Sequence, residues 1–563
     1  MSMKKQAAVT LAVLLAGCAS TPQTVVSRTS HPDAARGFAA PDQEAIYRVF
    51  MGELAFQRGA DHEAAREYAR AAQLSADPSL ARQALTFAYQ TGDNQLAWQL
   101  DQRWLTLAPG DRDALRFRAV LEARLGQPVK AAHHFEQMIR AAQGDSYLST
   151  AVLLGEETDA QHGLPVMQQL VEDATDSAAV HYAYAELALH YQRSVLAEHE
   201  ARRALELKPV LDSARLILAR ALAAQGKYTQ ALAIIQPRVQ AATGDIPLRL
   251  AYAALLAQAG RDDEASVQFQ AVLKQQPANA QALYSLGLLD LSANRFDAAH
   301  GYFQRLLNSG QQTDAAVYFL GNTAELQQRY PEALDWYRQV EEGEHWLPAQ
   351  IAITRVLLAS GIPEGARQFM DKVVAGDPDD AVQLRAAEAQ VFSEHGDTAT
   401  ARTILDTALG AAPDDEDLLY ARALLEESTG DAAAAEQDLR QILRQAPGNA
   451  QALNALGYTL VEHSTRYQEA LGYIRQALEL MPDDPAIIDS MGWVQYRLGN
   501  NALALKYLHQ AYQRQHDPQI AAHLVEVLLA AGDRQEAHQI WIVASKQHPD
   551  SAELKKLRPR VAQ

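Results

Sequence analysis

From residue 42 onward the hydrophobic and polar positions carry two superposed periods. Within stretches of about a dozen residues, apolar side chains return every third or fourth position, as on one face of a helix. These stretches alternate in pairs, and the pair recurs in steps of 33 to 35 residues almost to the C-terminus. The segment "NAQALNALGYTLVEHSTRYQEALGYIRQALELMPDDPAIIDSMGWVQYRLGNNALALKYLHQAY" shows the unit well. A Leu-Gly or Met-Gly pair sits in the first helix, and an alanine–large–alanine series sits in the second. Asn, Asp or Gly marks the turn, and proline closes many units.

The small residue that opens each second helix falls at Ala64, Ala97, Ala131, Ala197, Ala231, Ala265, Ala299, Ala333, Ala366, Ala401, Ala435, Ala470, Ala504 and Ala537. One double step across residues 132–196 interrupts the series, and a degenerate unit containing Pro165 fills it. Closing prolines follow twelve residues later at Pro109, Pro209, Pro277, Pro378, Pro413, Pro447, Pro482 and Pro549. A first-helix glycine appears at Gly287, Gly321, Gly457 and Gly492. Alanine lets two helix backbones approach closely. The larger side chain four residues later, as at Phe269, Phe303, Tyr337, Ile474 and Trp541, fills the space beside it on the same face. Proline stops the second helix because it lacks an amide hydrogen and pushes its predecessor to extended backbone.

This unit resembles the tetratricopeptide repeat. The resemblance implies an all-α, right-handed solenoid: a superhelix of antiparallel helix pairs with a concave groove, since no unit can bury its apolar face alone. About 14 or 15 pairs then cover residues 42–550, with weaker matches at 42–80 and 145–180. In the latter, "GEETDAQHGLP" reads as a loop or a dislocation in the stack. Residues 551–563, with Lys555, Lys556, Arg558 and Arg560, read as a solvated capping segment.

In such repeats the groove is lined by particular first-helix positions. Carried onto this sequence, they give Tyr182, Tyr284, Tyr318, Tyr420, Asn454 and Asp489 at one place, and Glu186, Asn322, Arg355, Tyr458 and Trp493 one turn on, followed by Tyr496 and Arg497. A recurring tyrosine offers flat contact area and a hydrogen bond at low entropic cost, as peptide-binding surfaces require. The same rings would also serve as half-buried scaffold between repeats. The lysine–asparagine clamp for a free carboxylate, known from the chaperone-tail-binding subclass, is missing: Tyr318 stands where the lysine before Asn322 would be. Acidic runs at Asp414–Asp417 and at Glu341, Glu342 and Glu344 read mainly as solvated turns.

Charge and composition narrow the chemistry. A formal net charge of -19 on 563 residues disfavours nucleic acid, whose phosphates would repel the chain. The single cysteine excludes a disulfide framework and any multi-thiolate metal site. The 17 histidines are scattered, and neither His62-Glu63 nor His199-Glu200 is followed by a histidine at the metalloprotease spacing. No nucleophile elbow, phosphate loop or dinucleotide fingerprint occurs. The expectation is a protein that is not an enzyme and needs no metal or cofactor.

The cysteine has a role of its own. "MSMKKQAAVTLAVLLAGC" joins a positive start at Lys4 and Lys5 to a short apolar run and small residues, the parts of an export signal. Leu15-Ala16-Gly17-Cys18 resembles a bacterial lipobox, which implies cleavage after residue 17 and acylation of the Cys18 thiol. Ala19 and Ser20, in place of an aspartate after the cysteine, resemble the class sorted to the outer membrane. Residues 18–41 lack helical periodicity and read as a lipidated tether reaching roughly 25–30 Å on average.

Signal, lipobox, length and repeats together resemble the lipoprotein partner of a periplasmic carboxyl-terminal processing protease, a family known from pseudomonads. That implies a non-catalytic adaptor at the periplasmic face of the outer membrane. Its partners would be a serine protease and its substrates, such as peptidoglycan hydrolases. The alternative is a scaffold for an envelope machine that handles exopolysaccharide, pili or outer-membrane proteins.

Overall fold

The computed structural model describes residues 41–141, 146–341, 343–377 and 380–561. The signal peptide, the lipobox residues Leu15, Ala16, Gly17 and Cys18, the tether before Pro41, and also Glu342 and Pro378, lie outside the described residues. Those residues form 31 helices and no strand. None is long and apolar enough to cross a membrane.

The helices belong to two compact units, one ending at Ala231 and one beginning at Leu232. The first opens with the hairpin Pro41–Gln57 and Asp61–Leu74 and contains five successive helix pairs before Asp212–Ala223. The second runs from Ile246–Gln258 and Asp262–Gln275 to Pro518–Ala531 and Arg534–Gln547, nine pairs among the described residues. It closes with Ala552–Val561, whose Leu554 and Leu557 are buried and whose Leu554 carbonyl accepts the Trp541 indole N–H at 2.9 Å. Within each unit a helix packs on its neighbours in the sequence, which is the arrangement of a solenoid.

All fourteen register alanines, from Ala64 to Ala537, are 0% exposed. Opposite each second helix the first helix supplies a small residue. A Cβ added at Gly287 would lie 2.5 Å from the Phe303 ring, at Gly321 2.7 Å from Tyr337, and at Gly457 2.4 Å from Ile474. Gly52 stands in the same relation to Tyr68, at 2.8 Å, and this builds the first hairpin like the others. Elsewhere alanine takes the small position, as at Ala253 facing Phe269 in sequence register, both buried.

Loops obey local rules. Asp77, Asp111, Asp245, Asn279, Asp415, Asn449, Asp484 and Asp517 each cap a first helix by accepting backbone N–H groups of its first turn. The acidic run at residues 414–417 is thus partly a helix cap. At the hairpin turn the chain needs a left-handed residue, and the next N–H returns to the fifth residue back, as Asp431 N–H does to Glu426 O at 2.8 Å. Gly430 fills this position at φ 86°, but Gln328 is forced into it at φ 59°.

The double step resolves into two helices, Tyr147–Glu157 and Ala160–Asp173. Gly163 takes the alanine position and Met167 the large one, both buried. Here the hairpin is splayed: Tyr147–Glu157 packs chiefly on Ala178–His190 and scarcely on its own partner. The Tyr191 hydroxyl sits within 2.8 Å of Leu154 O and 2.9 Å of Thr158 O, which binds the end of the shorter helix to the following repeat.

Two glycines of opposite environment test the packing rule. Replacing a helical glycine by alanine normally gains about 1 kcal/mol, and at Gly301, with nothing within 4 Å of an added Cβ, that gain should appear. At Gly287 the Phe303 ring is fully buried and cannot retreat, so overpacking of ~1–3 kcal/mol should outweigh it. Thermal unfolding should therefore show Gly301→Ala raising the melting temperature and Gly287→Ala lowering it. In the same assay Ala470→Leu should destabilise by ~1–3 kcal/mol.

Candidate functional site

In the second unit the first helices of consecutive hairpins lie side by side, so residues one repeat apart form rows. Tyr420 on Glu416–Thr429, Asn454 on Ala450–His463 and Asp489 on Pro485–Arg497 make one row. They border a cleft of about 320 Å³ that Tyr458 and the turn with Gln515, Asp517 and Gln519 also line. A second hollow of about 530 Å³, against Ala381–Glu394, shares Tyr420 and Leu424 with the first. Leu424 is 49% exposed there, an uncovered apolar contact point between the two hollows.

Behind the cleft lies a buried polar cluster. Asp489 Oδ2 accepts from His523 Nδ1 at 2.8 Å, and both side chains are nearly inaccessible. Burial by itself would depress the His523 pKa. The Asp489 charge and hydrogen bond, with Glu462 and Glu526 nearby, outweigh it and hold the imidazole above its ordinary value. The ring stacks on Trp493, centroids 4.1 Å apart and planes 14° from parallel. Trp493 donates its indole N–H to Glu462 at 2.5 Å. Arg497 donates to the Tyr467 hydroxyl at 2.7 Å and stands over that ring. Tyr458 accepts from the Gln519 amide at 2.8 Å, and burial raises its pKa, helped by the charges of Glu462 and Asp489. Tyr420, raised by burial too, stays a neutral phenol.

Comparison with known proteins identifies the repeated unit. Two tetratricopeptide repeat models match the chain, one over residues 386–544 and another over 250–307 and 287–344. Along 542 residues the chain is 35% identical to the TPR repeat-containing protein PA4667 of Pseudomonas aeruginosa, covering 93% of this chain and 90% of that one. The chain belongs to the tetratricopeptide repeat family. Among solved structures it is similar to yeast Tom70, at 13% identity and a TM-score of 0.36, covering 91% of this chain and 100% of that one. It is also similar to the APC/C hetero-tetramer Cut9-Hcn1, at 14% identity and a TM-score of 0.33, covering 92% and 96%. A tetratricopeptide solenoid is suited to protein–protein interaction or scaffolding, and such repeats are in general non-catalytic.

The residues singled out in the sequence fall into three groups. Tyr420, Asn454, Tyr458 and Asp489 line the same cleft, and Trp493 packs behind it. Tyr496 leans on Trp493, with ring centroids 5.2 Å apart, and Arg497 lies beside it in sequence. Tyr284, Tyr318, Asn322 and Arg355 belong to a separate, mainly internal cluster. Tyr284 meets Phe319 edge-on, while Tyr318 packs against Phe319, Tyr337 and His345. Arg355 grips Glu325 with two hydrogen bonds of 2.6 and 3.0 Å, and the same carboxylate accepts the Tyr337 hydroxyl at 2.7 Å. Asn322 lies on the same helix as Tyr318, Thr313–Leu326. Tyr182, in the first unit, donates to Glu186 on its own helix at 2.9 Å, and burial with that charge pushes its pKa up to about 12.

Sequence reading missed His523, Glu462 and the turn residues Gln515, Asp517 and Gln519. His523 was within reach, because it stands 34 residues after Asp489 in the same register position. The turn residues carry no such signal. Among the described residues no three His, Cys, Asp or Glu side chains converge as metal ligands.

Acid–base behaviour tests two buried groups of the second unit, Glu426 and His523. Burial raises Glu426 to about 7, reinforced by Asp438 and Asp431 against Arg402 and Arg422. His523 also lies above its free value of 6.5. Both groups hold a proton more tightly folded than unfolded. Their contribution is therefore complete below the unfolded values and is lost as pH rises through the folded ones. For Glu426 that window is 4.5 to about 7, and for His523 it opens at 6.5 and extends upward. Melting temperature should fall as pH rises through these windows, and Glu426→Gln with His523→Gln should flatten the slope.

Proposed function

We propose that this chain is a non-catalytic adaptor, held at the periplasmic face of the outer membrane by the acylated Cys18, that grips segments of other proteins along the concave row of its second unit. The partners are a carboxyl-terminal processing serine protease and its substrates, among them peptidoglycan hydrolases. The observation that carries the binding role is the row Tyr420, Asn454 and Asp489. Side chains from three successive repeats, joined by Tyr458, border one cleft, and Asn454 and Asp489 each keep a buried oxygen without a hydrogen-bond partner. The anchor rests on the lipobox pattern at residues 15–18. The similarity to a pseudomonad repeat protein over nearly the whole chain supports the protease reading, since the adaptor family it resembles is known from pseudomonads.

Mechanistically, an anchored groove need form no bond. Holding protease and substrate on one tethered scaffold makes their encounter intramolecular, and local concentration replaces affinity. An unbranched solenoid suits this because binding positions are spaced along its length by the repeat itself.

Envelope crosslinking followed by recovery of a tagged, anchored copy should yield a serine protease together with cell-wall hydrolases. Recovery of an export porin or a synthase would move the reading to the envelope-machine scaffold. Cleavage of peptidoglycan or protein by the purified chain alone would overturn the non-catalytic role. Cys18→Ser should leave the far-ultraviolet circular dichroism unchanged and transfer the protein from the membrane fraction to the soluble one. Tyr458→Ala should reduce recovery of partners by about tenfold, the loss of one well-packed aromatic contact.

A further inference from the structure

The cleft in the second unit has a definite chemical preference. Asp489, which lines the cleft, is 4% exposed, and its Oδ1 atom is buried without a hydrogen-bond partner although Oδ2 is held by His523. Asn454, on the preceding repeat, also leaves its Oδ1 buried without a partner. A buried acceptor left unsatisfied is costly, so two on residues bordering one cleft mark a place prepared for donors. Glu427 and Asp517 add carboxylates at the same cleft, and no lysine, arginine or histidine lines it among the described residues. Asp489 pairs with His523 and Glu427 meets His463 at 3.2 Å, while Asp517 caps a helix, so the cleft lining itself carries three carboxylates and no cation. Its remaining walls are the Tyr420 and Tyr458 rings with Ala423, Leu424 and Ile520, which suit an apolar stem or a planar cation.

We infer that this cleft is a specificity pocket for a basic side chain, arginine above all, presented by an extended segment of a client protein. The guanidinium is planar and has five donors in a fork, so it can serve two acceptors at once while its face lies on a tyrosine ring. This is the opposite polarity to a clamp for a terminal carboxylate. It also gives the acidic chain a way to choose partners: a segment with a carboxylate at this point would meet Glu427, Asp489 and Asp517 and be rejected. The inference rests on the adaptor reading, because it names which residue of a client the groove selects.

The test uses the full chain and a short labelled peptide of serine, alanine and leucine, acetylated and amidated, with one central arginine. Its counterpart carries citrulline, which keeps the shape and removes the charge. Fluorescence anisotropy should show the arginine peptide binding about tenfold or more tightly than the citrulline one, as expected for charge-assisted bonds to buried acceptors. The preference should shrink with added salt. Asp489→Asn should abolish the preference. Because that change also disturbs His523, the partly exposed Glu427→Gln serves as a second variant and should weaken the arginine peptide severalfold with an unaltered melting temperature.

Equal binding of the two peptides, or a preference that survives in both variants, would overturn the pocket. Envelope partners still recovered by the wild type, and lost on Tyr458→Ala but unaffected by Asp489→Asn and Glu427→Gln, would leave the adaptor standing without it. No envelope partner recovered, together with a clear arginine preference, would do the reverse.

Discussion

Everything in this molecule depends on how closely the two helices of one hairpin approach. At the crossing, one helix carries a residue with little or no side chain and the other a large one: Gly287 with Phe303, Gly321 with Tyr337, Gly492 with Leu508. Close-packed interiors leave no slack for a second large group at that point. The hairpin is thereby a rigid plate with an apolar surface on each side. Plates of this kind have only each other to cover those surfaces, and a solenoid is the result. The splayed pair around Gly163 shows the rule where it bends. Its first helix is three residues shorter than its partner, 11 against 14, and Tyr191 of the following repeat ties down its end.

Stacking turns a sequence period into a surface. A residue that recurs once per repeat on the first helices becomes one member of a row, and its neighbours in space are its equivalents in sequence. In the second unit the row reads Tyr420, Asn454, Asp489, His523. Aromatic, amide, carboxylate and imidazole occupy equivalent places and are coupled through the Asp489–His523 bond. The row positions stand three residues before the glycines that set the helix approach, as Asn454 does before Gly457 and Asp489 before Gly492, so the row borders the packed crossing without forming it. Binding and folding thus draw on separate positions of the same unit.

The acidity of the chain is distributed by the same logic. Much of it caps helices, as at Asp111, Asp415, Asp484 and Asp517, where aspartate meets the positive end of the helix dipole. Other carboxylates join arginines of adjacent repeats, as in the Glu436, Glu469, Arg440 and Arg466 network. Glu427, Asp489 and Asn454 are different, because they border the cleft, where Asp489 and Asn454 each keep a buried oxygen without a hydrogen-bond partner.

How much of this could be read from the letters follows from the range of each interaction. Helix pairs, their register and the buried alanines depend on contacts within about one repeat. A periodic sequence records such contacts openly, and all fourteen register alanines from Ala64 to Ala537 stand in the core. The row of groove positions was legible for the same reason, though Tyr318 and Arg355 fill contacts between helices rather than the cleft. What only the tertiary structure decided is which row members share a hollow and what closes it. Gln519 reaches the Tyr458 hydroxyl from 61 residues away, and the unpartnered oxygens of Asn454 and Asp489 are visible only once neighbouring repeats have claimed the other donors. Those features depend on the angle at which successive plates are stacked. That angle is a sum of many side-chain contacts, and no single periodic position in the sequence encodes it.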